Sequence, residues 1–75
     1  GIIPMISKVT DYIISYLKEE NLTAVQVARE TGIAKQKLTE GYVHPLDADE
    51  FLRLCVYLHL RPEDISRAIR EKENE

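Results

Sequence analysis

The sequence predicts an all-α protein, a compact bundle of five short helices. Apolar residues recur at three- and four-residue spacing along most of the chain, whereas alternation with period two never lasts beyond a few residues. The three glycines and three prolines lie near the predicted helix boundaries, as expected for helices joined by short turns. Seventy-five residues correspond to one small domain, and 44% apolar with 31% charged residues is typical of a soluble globular protein.

The first helix is predicted from Met5 to Lys18. Its apolar residues fall on one helical face, namely Ile6, Val9, Ile13, Tyr16 and Leu17. Tyr12 and Ile14 lie outside this stripe and are expected at the surface. Scattered surface apolarity is the simpler interpretation of these two side chains, and an edge that binds a partner is the alternative.

The second helix is predicted over about residues 24–31, because capping residues stand at both of its ends. Thr23 can accept a hydrogen bond from the first turn, and Gln26 stands three residues later, as in a capping box. Gly32 falls where a helix end needs a residue that tolerates positive φ. The helix is therefore about two turns long.

A third helix is predicted over about residues 34–40. Ile33 provides an apolar plug in the turn before it, and Leu38 is its inward residue. Two short helices joined by a glycine turn are typical of a helix-turn-helix, although an ordinary pair of antiparallel helices also uses glycine in its turn. We favour the helix-turn-helix because cap, glycine and apolar plug agree.

Two further helices follow a loop that ends at Pro45. Asp47 is a favourable N-cap for the fourth helix, with Glu50 at the third position of a second capping box. Pro62 suits the first turn of the fifth helix. His44 in the loop is expected to be a surface residue without a catalytic task.

The domain is expected to span residues 5–70. Residues 1–4 are interpreted as a cloning remnant or an N-terminal extension, and residues 71–75 as a frayed tail. The predicted core consists of the inward residues of all five helices: Ile6, Val9, Ile13, Leu17, Val27, Ala28, Ile33, Leu38, Leu46, Phe51, Leu54, Cys55, Leu58, Leu60, Ile65 and Ile69. The single cysteine in this set is expected to be a small buried hydrophobe rather than a reactive thiol.

The charge distribution predicts at most a weakly basic surface near the helix-turn-helix. The net charge is −3 and the pI about 5.4, which disfavours strong nonspecific binding to nucleic acid. Residues 24–46 carry three cations and two anions, whereas residues 47–75 carry five cations and eight anions. The acidity therefore lies mainly outside the helix-turn-helix.

The pattern from Thr23 to Leu38, Thr-x-x-Gln-Val-Ala-x-x-x-Gly-Ile-x-x-x-x-Leu, resembles the phage repressor-like helix-turn-helix family of the Cro and lambda-repressor type. The resemblance continues through His44-Pro45-Leu46, Phe51-Leu52-x-Leu54 and Tyr57-Leu58-x-Leu60-x-Pro62-x-Asp64-Ile65, and covers about Ile6 to Ile69. It implies a five-helix bundle of the lambda-repressor-like DNA-binding type, whose third helix enters the major groove.

The resemblance also implies which residues contact DNA. The base-contacting positions are Lys35 and Gln36, with Thr39 beside them, so that Lys35 would contact guanine and Gln36 adenine. The expected backbone contacts are Lys37, Arg29 and Tyr42. Three features depart from the family pattern: Ala24 stands where a glutamine is common, Ala34 replaces a serine or threonine cap, and the loop before Pro45 is short.

These observations predict a sequence-specific transcriptional regulator that binds double-stranded DNA as a homodimer, of phage-like type and cytoplasmic. Exposed apolar candidates for the dimer interface are Tyr57, Ile14 and Tyr12. The alternative is a protein-interaction module, an antirepressor or adaptor that keeps the fold without binding DNA. An enzyme is not expected, because no nucleophile and base pair or phosphate-binding glycine loop is present. No cofactor, metal or membrane partner is expected either.

Overall fold

The computed structural model describes residues 2–74, with residues 2–6 described as backbone only. The elements in chain order are α1 (Ile2–Glu19), α2 (Ala24–Thr31), a 3-10 segment (Lys35–Leu38), α3 (Ala48–Leu58) and α4 (Pro62–Glu73). No strand occurs in the described residues, so the all-α prediction is confirmed, and the radius of gyration of 11.7 Å is that of a compact bundle. No described helix is long and apolar enough to cross a membrane.

The prediction of five helices is wrong, because the third of them does not form. Residues 34–40 contain only the four-residue 3-10 segment, and Thr39 after it is extended, with φ −121° and ψ 152°. Ala34 at its start has no side chain that can cap the free N–H groups. Gly41, at φ 81°, then changes the direction of the chain. The residues between Ala34 and Gly41 are too few to form the hydrogen bonds that would offset the cost of nucleating an α-helix.

The predicted boundaries of α2 are confirmed, and its caps explain them. Thr23 Oγ1 accepts a hydrogen bond from the N–H of Gln26 at 3.1 Å. Gly32 adopts the left-handed conformation, with φ 79°, and its N–H donates to the carbonyl of Ala28 at 2.8 Å. At the start of α3 the predicted capping box is complete, since Asp47 and Glu50 cap each other's backbone N–H groups.

The core lies between α1 and the other elements, and most of its predicted members are buried. The buried cluster consists of Val9, Ile13, Leu17, Val27, Ile33, Leu38, Leu46, Leu54, Cys55, Ile65 and Ile69. Four predicted members are only half-buried and pack against its edge, namely Ala28, Phe51, Leu58 and Leu60. The side chain of Ile6 lies outside the described residues.

The expectation that Ile14 lies at the surface is wrong, since it is only 5% exposed. The 3-10 segment packs on one side of α1 and α4 on another, so the buried face of α1 is wider than a single stripe. Ile14 accordingly lies beside Leu22 and Leu38. It is therefore withdrawn as a candidate for a dimer interface. Tyr12 and Tyr57 are half-buried.

Polar groups fasten the loop between the 3-10 segment and α3 onto α1. Thr10 is fully buried, and its Oγ1 accepts a hydrogen bond from the N–H of Leu46 at 3.0 Å. The Tyr42 hydroxyl donates to Asp11 Oδ1 at 2.8 Å. At the other end of the molecule α4 continues to Glu73, so residues 71–73 are helical where a frayed tail was expected.

Candidate nucleic-acid interface

The turn between α2 and the 3-10 segment is held from both sides. Ile33, the apolar plug, is 3% exposed, and its N–H donates to Thr31 Oγ1 at 3.3 Å. From α3, Arg53 Nη1 donates to the carbonyl of Thr31 at 3.2 Å, and the Tyr57 hydroxyl donates to Glu30 Oε2 at 2.8 Å. The hydrogen bond to Glu30 is the main cause that raises the pKa of the Tyr57 hydroxyl. The end of α2 is thereby fixed relative to α3.

Lys35 and Gln36, the first two residues of the 3-10 segment, project into solvent. Both are exposed, and neither side chain makes a hydrogen bond or ion pair with a side chain or backbone group that the structure describes. Arg29, on α2, is likewise exposed and has no ion-pair partner in the described residues. Two predicted base contacts and one predicted backbone contact are therefore accessible.

Lys37, a predicted backbone contact, is held differently. Its Nζ forms an ion pair with Glu50 Oε1 at 2.7 Å, and the two side chains are only 26% and 18% exposed. The same Glu50 oxygen accepts the N–H of Asp47 at 3.0 Å, so it serves α3 as a cap at the same time. The ion pair neutralises one of the three cations of residues 24–46 and directs it toward α3 rather than toward solvent.

Thr39 and Tyr42, the remaining predicted contacts, are both half-buried. Thr39 Oγ1 lies 3.4 Å from the carbonyl oxygen of Gln36, to which it donates. The Tyr42 hydroxyl donates a hydrogen bond to Asp11. The pKa of Tyr42 is raised, mainly by burial and secondly by this hydrogen bond. Both hydroxyls therefore brace the loop, and each would have to leave its present partner to reach a phosphate.

The charged residues around the 3-10 segment partly cancel one another. Lys18 of α1 forms an ion pair with Glu40, which follows the segment. Glu50 is the residue that sequence reasoning missed: its position in a capping box was predicted, but nothing in the pattern indicates that it also binds a lysine thirteen residues away. Of the three cations of residues 24–46, Arg29 and Lys35 are therefore the two without an ion-pair partner in the described residues.

Comparisons with family models, with curated proteins and with solved structures gave no match for this chain. Support for a helix-turn-helix therefore comes from the chain's own residues and their geometry alone.

Proposed function

We propose that the protein is a sequence-specific DNA-binding regulator of the lambda-repressor-like type, in which the 3-10 segment approaches the major groove. The observation that carries the proposal is the pair Lys35 and Gln36, two exposed, unpartnered side chains directly after a fixed glycine turn. In a helix-turn-helix the first residues after the turn contact base edges. Lysine suits guanine O6 and N7, and glutamine can bond adenine at N6 and N7.

The short 3-10 segment limits what one copy can read. Two side chains specify about two base pairs, and Arg29 supplies one accessible phosphate contact. Such a module buries too little DNA surface for specific binding alone, so the regulator acts as a homodimer on two half-sites about one helical turn apart. Because few phosphates are neutralised, nonspecific affinity is low and the salt dependence shallow.

A second candidate, a protein-interaction module, is favoured by the Lys37–Glu50 ion pair. A cation that is paired and three-quarters buried contributes little to the attraction of phosphates. Exposed apolar side chains elsewhere, such as Leu52 and Val56, would suit a protein partner instead. The two candidates differ in one measurable property, the selection of a DNA sequence.

The test is selection of duplexes from a random pool, followed by fluorescence-anisotropy titration of the selected duplex at about 50 and 200 mM salt. We expect Gln36→Ala to weaken binding by about 5- to 150-fold and to relax preference at one base pair, the effect of losing one bidentate contact of about 1–3 kcal/mol. Lys35→Ala should act similarly at the neighbouring base pair.

Lys72→Ala is the matched control, because Lys72 is an exposed lysine of α4 and the charge change is the same. Equal weakening by Lys35→Ala and Lys72→Ala would mean that only net charge matters, which contradicts base recognition. Failure to enrich any sequence, with no binding at low salt, would sink the DNA proposal in favour of the protein-interaction module.

A further inference from the structure

A polar stripe of α3 holds the C-terminal end of α2. Asp49, Arg53 and Tyr57 are spaced four residues apart, so their side chains lie on one face of the helix. Arg53 Nη1 donates to the carbonyl of Thr31 at 3.2 Å, while its Nη2 pairs with Asp49 Oδ2 at 2.9 Å. The Tyr57 hydroxyl donates to Glu30 Oε2 at 2.8 Å. Helix α3 therefore binds the last two residues of α2 through two directed hydrogen bonds.

The carbonyl that Arg53 binds belongs to the peptide group at which the chain leaves α2. Thr31 is the last residue of that helix, and Gly32, at φ 79°, begins the turn. The last carbonyls of a helix have no partner within it, and a cation near them interacts favourably with the helix dipole. A Cβ at Gly32 would lie only 3.9 Å from Arg53 Nη1, so the guanidinium lies beside the turn itself. Arg53 accordingly fixes the orientation of the first peptide group of the turn relative to α3.

The 3-10 segment depends on such contacts because it is too short to hold its own direction. It has only four residues, and no side chain caps its start at Ala34. Its apolar anchors Ile33 and Leu38 are each 3% exposed, but apolar burial is non-directional. Lys35 follows Gly32 by three residues, so a rotation of about ten degrees at the turn moves it by up to about 1–2 Å. A hydrogen bond to a base edge spans only about 2.7–3.2 Å and is lost on such a displacement.

We propose, on the basis of the DNA-binding function proposed above, that Arg53 and Tyr57 are positioning residues for base recognition. Without touching the duplex, they hold α2 and the 3-10 segment at the angle that lets both engage DNA at once. In the helix-turn-helix docking mode the first helix crosses the backbone while the residues after the turn meet base edges. Arg29 on α2 and Lys35 after the turn reach their partners together only if that angle is fixed.

Positioning and direct contact have different signatures in binding. A residue that contacts a phosphate strengthens binding to all sequences about equally and adds to the salt slope. A residue that positions Lys35 and Gln36 strengthens binding to the selected sequence alone, because nonspecific affinity comes from charge and not from base register. Arg53 carries a charge that acts on any duplex, whereas Tyr57 carries none. Tyr57→Phe is therefore the cleaner variant, and Arg53→Met needs a control for its charge.

Amide hydrogen exchange in the DNA-free protein tests whether the two contacts hold the turn. We expect exchange at Gly32 and Ile33 to be about 2- to 10-fold faster in Tyr57→Phe and in Arg53→Met, the effect of losing one hydrogen bond. Exchange within α1 should stay unchanged, because loosening of the turn is a local opening rather than unfolding of the whole domain. Equal acceleration throughout the chain would mean a general loss of stability and would overturn the positioning role.

Binding to two duplexes measures selectivity, one selected from the random pool and one scrambled with the same composition. We expect the selectivity, the dissociation constant for the scrambled duplex divided by that for the selected one, to fall at least about fivefold in Tyr57→Phe and in Arg53→Met. The affinity of Tyr57→Phe for the scrambled duplex and its salt slope should equal those of the natural chain. Arg53→Lys should restore most of the selectivity, since an ammonium group can also donate to the Thr31 carbonyl.

Tyr16→Phe is the control for the lost hydroxyl, because the Tyr16 hydroxyl makes no hydrogen bond among the described residues. Arg67→Met is the control for the lost charge, since Arg67 is an exposed arginine of α4 with an acidic neighbour on its own helix. Neither should change the selectivity. A natural chain that selects no sequence overturns the DNA proposal and this inference with it. A natural chain that selects a sequence, with variants that keep its selectivity or lose affinity equally for both duplexes, overturns this inference alone.

Discussion

Lys35 and Lys37 show how strongly the local environment decides what a side chain can do. They are two residues apart, yet Lys35 is exposed and unpartnered among the described residues, whereas Lys37 bonds Glu50 at 2.7 Å. Only the first keeps its charge available for a phosphate or a base edge. Dissolved salt screens the exposed charge of Lys35 more than the largely buried ion pair of Lys37. The interactions of the two lysines should therefore respond differently to salt concentration.

Thr10 is the residue whose buried polar group should contribute most to stability. Its Oγ1 accepts the N–H of Leu46 at 3.0 Å at a fully buried position. We expect Thr10→Val, which keeps the shape but leaves this N–H without its acceptor, to lower the free energy of unfolding by about 1–3 kcal/mol. Urea unfolding at neutral pH measures the change.

Thr10→Ser is the control, because it keeps the acceptor and removes only a methyl group, at a cost of about 1 kcal/mol. If the valine variant proved as stable as the natural chain, or clearly more stable than the serine variant, the hydrogen bond to Leu46 would have no stabilising role.

Residues that act on their own neighbours in sequence could be predicted, and residues that meet across the fold could not. The caps at Thr23, Gly32 and Asp47 follow local rules and are present in the structure, although the bond from the Gln26 side chain back to Thr23, which a full capping box needs, is not among the described contacts. The contact of Lys37 with Glu50 depends on where the loop places α3 against the 3-10 segment. No spacing rule contains that information, so one predicted backbone contact is held in a way that the sequence did not indicate.

Among the elements, the 3-10 segment is where local preference and tertiary context disagree. Leu38 was predicted to face inward, and it does, at 3% exposure, so the apolar pattern was informative. The pattern does not determine the length of a helix, and here the segment stops after four residues. Ala34 has no side-chain oxygen that could cap the first N–H groups of the segment, and a short helix depends on such caps.

Ala34→Ser should stabilise this segment. The backbone of Ala34 is extended, with φ −61° and ψ 131°, close to the conformation of the natural caps at Thr23 and Asp47. A serine oxygen there can accept a free N–H of the next turn, which is typically worth about 0.5–1 kcal/mol. We expect thermal unfolding to shift upward by a few degrees, as about that free energy does in a domain of this size.

Ala48→Ser, at the first position inside α3, is the control, because it adds the same hydroxyl where Asp47 already provides the cap. It should be neutral or slightly destabilising. Equal thermal shifts in the two variants would refute a specific capping effect at Ala34.

For the whole molecule, burial of titratable groups predicts a loss of stability in alkali. Burial raises the pKa of the Cys55 thiol, and burial together with Asp11 raises the pKa of Tyr42. Each raised pKa means that the unfolded chain loses its proton first. Stability is therefore fully present below the ordinary values of 9.0 and 10.0 and falls as pH rises through the higher folded values.

Tyr42→Phe should flatten this alkaline decline while lowering stability near neutral pH, since the bond to Asp11 is lost. Urea midpoints measured at about pH 8 and pH 10.5, on either side of the ordinary tyrosine value, give the comparison. Tyr16→Phe is the control, as Tyr16 is half-buried on α1 and its hydroxyl makes no hydrogen bond among the described residues. A decline as steep in Tyr42→Phe as in Tyr16→Phe would contradict the assignment.

Glu50 joins two parts of the molecule, because it caps the start of α3 and also neutralises Lys37 of the 3-10 segment. Glu50→Gln separates these roles, because glutamine at this position can still complete a capping box but carries no charge and cannot form an ion pair with Lys37. We expect the fold to remain, with a loss of about 1–3 kcal/mol, because the broken ion pair is largely buried and its hydrogen bond joins two charged groups. Freed from its partner, Lys37 should contact a phosphate, and the slope of log affinity against log salt should steepen by about one contact.

Glu63→Gln provides the comparison for that slope, since it also removes one acidic partner of a cation, Arg61, and changes the net charge equally. Because Glu63 lies at the start of α4, its loss should alter DNA affinity only through net charge. A steeper slope in Glu50→Gln than in Glu63→Gln, abolished by adding Lys37→Ala, would show that the ion pair restrains a latent backbone contact. Matching slopes would mean that Lys37 does not reach DNA even when it is released.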